Sequence, residues 1–131
     1  MEILKIKTKN RQIGDIGEDA AAKLLKREKF KIIERNYVAV NHEIDIIAEN
    51  RDIQIFVEVK CRIVKDDSDV RPAEAVNKDK MRAIIKAASY YTAFNPSEKK
   101  KRFDVIEVYL KEVKSKFSVL KINHIEGAFT R

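Results

Sequence analysis

The chain has one cysteine, three glycines and two prolines, and it lacks any apolar run of the roughly 18 residues needed to span a membrane. Cys61 therefore has no partner for an internal disulfide, and a single thiol with no second one nearby excludes a thiolate zinc site. His42 and His124 are too few for a transition-metal cluster. No Walker loop, GxGxxG or Ser/His/Asp arrangement is present. The opening MEILKIKTKNRQ is charged throughout, unlike a secretory signal, so a cytoplasmic protein is expected. No repeat, low-complexity tract or Pro/Gly-rich linker divides the chain. One domain over residues 1–131 is expected, with 1–12 as a basic N-terminal arm.

What is present is core material and charge. Of 131 residues 44% are apolar, enough for one core. The 28 basic and 21 acidic residues give a formal charge of +7. That balance favours a polyanionic partner such as nucleic acid. A charged content of 37% equally suits a solvated, heat-tolerant surface.

Apolar and small residues recur at helical spacing over 13–28, with Asp15 and Glu18 set like an acidic capping box, so a first helix is expected to begin near Asp15. Three β-rich segments follow at 30–40, 43–48 and 52–62. Residues 64–71, VKDDSDVR, lose all periodicity, and a mobile loop is expected there. From Pro72 to about Phe94 the pattern is again helical, and this second helix is expected to be the longest element. Alternation at 103–110 and 116–123 predicts two final strands. The order αβββαββ implies an α/β fold with a mixed sheet, because a helical crossover returns the chain parallel and hairpins return it antiparallel.

The stretch HEIDIIAENRDIQIFVEVKCR, residues 42–62, carries charge where a buried sheet should not. Side chains alternate across a strand, so Glu43 and Asp45 share one face, and Glu58 and Lys60 share another. A two-residue turn at Asn50-Arg51 would pair Asp45 with Phe56 and Glu43 with Glu58, bringing all four charges onto one patch. Asp45 then lies diagonal to Glu58 at about 7–8 Å between Cα atoms, within reach of a shared cation. Three carboxylates so placed would suit Mg²⁺ or Mn²⁺, and a nearby ammonium would suit phosphodiester hydrolysis. The same residues also fit an ion-pair lattice on a solvated sheet face, and spacing alone leaves both open.

Taken in order, GDIGEDAAAKLL, ERNY, EIDIIA, IFVEVKCR, EAVNKDKMRAIIKAASYY, RFDVIEV and HIEGAF resemble the YraN family of bacterial proteins, from about Gly14 to Phe129. That family is placed in the restriction-endonuclease-like, or PD-(D/E)XK, superfamily, similar to archaeal Holliday-junction resolvases. The resemblance implies a mixed central sheet flanked by helices, with Asp45, Glu58 and the backbone carbonyl of Val59 as metal ligands. It further implies Lys60 as electrostatic catalyst and Glu18 as an auxiliary acid; for Glu18 the helix cap is the structural alternative. A homodimer is implied by resolvase action on a symmetric junction. Two departures stand out: His42 where the family usually has Gly, and Cys61 where it usually has a hydroxyl residue.

Of Lys78, Lys80 and Arg82, Lys80 is the choice for a phosphate contact, since spacing of two spreads side chains round a helix. Lys99, Lys100, Lys101 and Arg102, and the arm residues Lys5, Lys7, Lys9 and Arg11, are candidates to follow a DNA backbone. Tyr90, Tyr91 and Phe94 are assigned to core packing, Asp104 to orienting a basic neighbour and His124 to a hydrogen-bond cluster. Cys61 is expected as a buried apolar side chain opposite Glu58 and Lys60. The expected activity is metal-dependent hydrolysis of DNA, including branched DNA. The alternatives are a non-catalytic nucleic-acid-binding or scaffolding module that keeps the fold, and a protein-interaction domain with a basic surface.

Overall fold

The structure is a computed structural model that describes residues 8–70 and 77–129. Helix α1 (Lys9–Arg27) is followed by strands β1 (Lys31–Ala39), β2 (His42–Glu49) and β3 (Ile53–Ile63). A short 3-10 turn at Asp67–Asp69, helix α2 (Lys78–Phe94) and strands β4 (Lys100–Val113) and β5 (Lys116–Phe129) complete the chain. The five strands form one sheet in sequence order, antiparallel except for β3 against β4. That parallel pair is the one joined through α2, so the expected αβββαββ mixed sheet is what forms.

Each helix covers one sheet face through small residues on its inner side. Helix α1 sets Ala21, Ala22 and Leu25 against Ile46, Ala48, Ile55, Val57, Ile106, Val108 and Leu110. On the other face, Ile84, Ala87, Ala88 and Tyr91 of α2 meet Ile44, Ile47, Phe56, Phe103, Val105 and Phe129. Burying each of the larger side chains contributes roughly 1.5–3 kcal/mol. At Gly17 helix and sheet nearly touch: a Cβ there would lie 2.8 Å from Cys61 Cβ and 2.9 Å from its Sγ. Glycine is thus what lets α1 approach β3.

Several boundaries differ from the sequence reading. Helix α1 begins at Lys9, capped by Thr8 Oγ1, which accepts from the Arg11 N–H at 3.2 Å. Asp15 and Glu18 are therefore interior residues, and the capping-box reading of Glu18 fails. Helix α2 starts under Asn77, and at 17 residues it is shorter than the 19 of α1. Pro72, Arg71, Lys5 and Lys7 lie outside the described residues. The loop after β3 begins tied down, with Val64 buried and its N–H on the Leu110 carbonyl at 2.8 Å.

Two tight hairpins share one device. Val40-Asn41 and Lys114-Ser115 all have positive φ, from 51° to 64°. This is the paired left-handed geometry that matches strand twist in two-residue turns. His42 follows the first turn as a strand residue in register with Ala39, so its presence leaves the turn intact. Among the described residues no helix is long and apolar enough to cross a membrane.

Candidate active site

The sheet forks between β2 and β3. Their ladder runs from Glu49 and Gln54 only as far as Ile46 and Val57, after which β2 stays with β1 and β3 stays with β4. One step beyond the last pair, the same register sets Asp45 opposite Glu58. The sequence reading placed Asp45 opposite Phe56, two residues off, because the connection is longer than a two-residue turn. Asn50 Oδ1 accepts from both the Asp52 and Ile53 N–H groups at 2.9 Å, which extends the turn. A slip of two does not by itself change faces, but β2 turns over across Asp45, since Ile46 packs under α1 and Ile44 under α2.

At the fork the Asp45 side chain takes over from the missing ladder, its Oδ2 accepting from the Val59 N–H at 2.8 Å. Glu18, Asp45, Glu58 and Lys80 line one cleft of about 610 Å³, with Gly14, Val59 and Cys61 in its walls. Glu58 is only 5% exposed. Lys80 reaches across from the first turn of α2 to Glu58 Oε1 at 2.5 Å.

Burial, then the neighbouring charge of Glu58, pushes the Asp45 carboxyl up to about 7, against the pull of the Val59 N–H. Glu18 is raised as well, chiefly by burial, with Arg35 opposing and Glu43 adding to the rise. Arg35 Nη2 stands 3.8 Å from Glu18 Oε1 and 2.8 Å from Asp19 Oδ1. With its amide nitrogen turned toward both carboxylates, Asn36 donates to Glu43 Oε1 at 2.7 Å and to Glu18 Oε1 at 2.9 Å. Asn36 holds a left-handed φ of 54° in mid-strand, a conformation Asn tolerates better than most residues. The sequence reading missed it, although an Asn inside a β-rich run is an available signal.

Among the described residues no three His, Cys, Asp or Glu side chains gather into a set able to hold a metal ion. The side-chain donors at the fork are thus two, Asp45 and Glu58. Their chemistry nonetheless fits a hard divalent cation: oxygen donors only, in a site where burial and then the neighbouring Glu58 charge raise Asp45 well above its ordinary range, with an ammonium already drawn onto Glu58.

Lys60 stands one residue-pair further along β3, opposite Glu107 of β4. It lines a second cavity of about 310 Å³ with Glu58, Lys80 and Glu107, on the far side of Glu58 from Asp45. Glu107 is 8% exposed, and its Oε1 is buried with no hydrogen-bond partner. Its signal was also available, as a lone acid between Val105 and Tyr109 on an otherwise apolar face.

The other candidates fall elsewhere. Lys99 Nζ binds Glu49 Oε2 at 2.7 Å and the Asn50 carbonyl at 2.9 Å. Lys101 Nζ binds the Ser97 and Lys99 carbonyls at 3.0 and 2.7 Å, while Lys100 is exposed. Lys100, Lys101 and Arg102 open β4 rather than a turn, and Lys100 is in register with Ile53, five residues before Glu58. That is about 16 Å of strand from the fork. Lys9 pairs with Glu112 at 3.0 Å, and Arg11 is exposed on α1. Arg82 pairs with Asp79 at 3.4 Å on an exposed surface. Tyr91 is buried edge-on to Tyr37 and Phe56 as expected, but Tyr90 and Phe94 are 50% and 72% exposed and pack on each other instead. Cys61 is half-buried on the α1 face, and burial raises its thiol to about 11. Asp104 and His124 meet: His124 Nε2 lies 2.8 Å from Asp104 Oδ2, and its Nδ1 2.7 Å from Glu28 Oε1.

Comparison with known sequences agrees with the extent of this architecture. The profile of uncharacterised protein family UPF0102 matches residues 17–108, a span that holds Glu18, Asp45, Glu58, Lys60, Lys80 and Glu107. A UPF0102 protein of Clostridioides difficile is 44% identical over 124 residues, covering 92% of this chain and 98% of its own. One from Caldanaerobacter subterraneus is 39% identical over 124 residues, covering 94% and 98%. Another, from Clostridium beijerinckii, is 40% identical over 121 residues, covering 92% and 94%. Matched by the family profile over residues 17–108 and 39–44% identical to these relatives over more than nine-tenths of its length, the chain belongs to the UPF0102 family.

Proposed function

We propose that the β2–β3 fork is the metal centre of a nuclease-like protein that hydrolyses DNA phosphodiester bonds, in the PD-(D/E)XK manner that the sequence resembles. One observation carries this reading: Asp45 and Glu58 line one cleft just beyond the last β2–β3 pair, desolvated enough that Asp45 rises to about 7. Desolvating two like charges side by side is unfavourable unless a cation joins them. Asp45 and Glu58, with the Val59 carbonyl, would hold Mg²⁺ or Mn²⁺ there. Such a cation, when bound, polarises a phosphate and lowers the pKa of a coordinated water. Lys60 stabilises negative charge that develops on the phosphate oxygens. Glu18, steadied by Arg35 and Asn36, is the auxiliary acid at the cleft wall.

The test is incubation with linear, flapped and four-way DNA in Mg²⁺ or Mn²⁺, comparing wild type with Asp45→Asn and Lys60→Ala. Wild type should cut, Asp45→Asn should not, and Lys60→Ala should be slower by about 10²-fold or more, with DNA affinity largely kept. Equal cutting by all three would contradict the assignment. Cutting a symmetric junction on two strands calls for two copies of the site, so this reading carries a homodimer, checked by sedimentation with and without four-way DNA.

A second reading has its own support. Glu58 already has the Lys80 ammonium, and no third acidic side chain completes the set among the described residues. A non-catalytic nucleic-acid-binding or scaffolding module would use that neutralised cleft without metal. It predicts no cleavage by any variant and DNA affinity indifferent to Mn²⁺.

A further inference from the structure

Lys80 and Glu58 form an unequal pair. The Glu58 side chain is 6% exposed and fixed within β3, whereas that of Lys80 is 55% exposed and extends from the first turn of α2. Lysine's long stem and strongly hydrated ammonium let it leave an ion pair for water at little cost. A buried carboxylate has no such exit, so when the ammonium leaves it must take up either a proton or another cation. Asp45 lines the same cleft as a second carboxylate. A divalent cation bridging the two would satisfy both, and it would compete with the Lys80 ammonium for the Glu58 carboxylate.

We infer that Lys80 is a displaceable counter-ion: a divalent cation arriving at Glu58 expels the ammonium, which is thereby released to a nucleic-acid phosphate only when the metal is in place. This rests on the metal-dependent reading above. It assigns Lys80 a positioning role that couples the two ligands. By linkage, nucleic acid that captures the freed ammonium tightens metal binding in return. The device also accounts for how the metal-free fold tolerates its acidic fork.

The experiment is calorimetric titration of the full chain with Mn²⁺, comparing wild type, Lys80→Gln and Lys86→Gln. Lys86 is exposed on the same helix and controls for loss of one distant positive charge. Lys80→Gln should bind Mn²⁺ about tenfold more tightly than wild type, equivalent to about 1.4 kcal/mol. Lys86→Gln should stay within about twofold. In the wild-type protein, saturating Mn²⁺ should raise acylation of Lys80 by an amine-reactive ester relative to Lys86, read by mass spectrometry. Equal affinity in the two lysine variants, or Mn²⁺ binding without any change in Lys80 acylation, overturns the inference and leaves the metal site standing. Absence of Mn²⁺ binding in wild type and Lys80→Gln alike overturns the metal reading, and the inference with it.

Discussion

Two aspartates in this protein, one enclosed and one half-buried, have opposite surroundings. Asp104 is fully enclosed and receives Arg102 Nε at 2.7 Å, Arg102 Nη2 at 2.8 Å, His124 Nε2 at 2.8 Å and the Gly127 N–H at 3.0 Å. Asp45 receives one donor, the Val59 N–H, and faces Glu58. Although burial is the largest influence on both, the donors around Asp104 outweigh it and lower its pKa, while Asp45 is driven up to about 7. A carboxylate that brings its own cations holds the fold together, whereas Asp45 is desolvated with no cation of its own bonded to it among the described residues.

The sharpest way to break this comparison is to neutralise each group in turn. Asp104→Ala leaves Arg102 and His124 facing each other without their shared anion and should destabilise the fold by about 3–5 kcal/mol. Asp45→Asn keeps an acceptor for the Val59 N–H and removes the repulsion, so at pH 8 it should be neutral or stabilising by about 1 kcal/mol. Chemical denaturation of both variants measures the contrast. Equal losses would show that the two sites are energetically alike.

Next in size is Gly17→Ala. The added methyl meets a strand side chain that cannot retreat. A loss of about 1–3 kcal/mol in denaturant melts is expected, with the cleft wall displaced. No loss would mean that α1 is less tightly seated on β3 than the geometry implies.

The pH dependence sharpens the contrast, and here the two aspartates have opposite signs. Asp45 has a raised folded pKa, so its charged form penalises folding. That penalty is absent below about 3.8, grows as pH rises toward about 7 and is constant above. Asp104, with a lowered pKa, stabilises above its ordinary range, and that contribution is lost as pH falls through its folded value. His124, whose burial is outweighed by the hydrogen bonds it donates to Asp104 and Glu28, has a raised pKa; it stabilises below pH 6.5, and this is lost as pH rises through its raised value. Asp45→Asn should therefore flatten the decline in stability between pH 4 and 7. His124→Gln should flatten the decline that lies above 6.5.

Much of this was legible in the chain because period-2 alternation does not depend on turn length. The shared face of Glu58 and Lys60 follows from pattern alone, whereas β2 turns over across Asp45, with Ile44 packed under α2 and Ile46 under α1. The turn itself was misread because an Asn side chain, invisible to a count of residues, bonds two backbone N–H groups and lengthens the loop. The start of α1 was missed since Thr8 caps it within a polar run where no apolar stripe announces a helix. Strand β4 was started late for a related reason: Lys100, Lys101 and Arg102 pair with β3 through backbone groups, which charge does not reveal. Lys80 was chosen from three neighbours by spacing, and the structure carries it to Glu58. Glu107 went unread because its importance lies in what it fails to meet, an orphaned oxygen opposite Lys60.

The most direct measurement is the carboxyl carbon resonance of Asp45, followed by NMR against pH with and without Mg²⁺. The account predicts titration near 7 in the absence of Mg²⁺ and a fall of more than about one unit when the cation binds. An Asp45 that titrates in the ordinary range near 3.8 and ignores Mg²⁺ would contradict it.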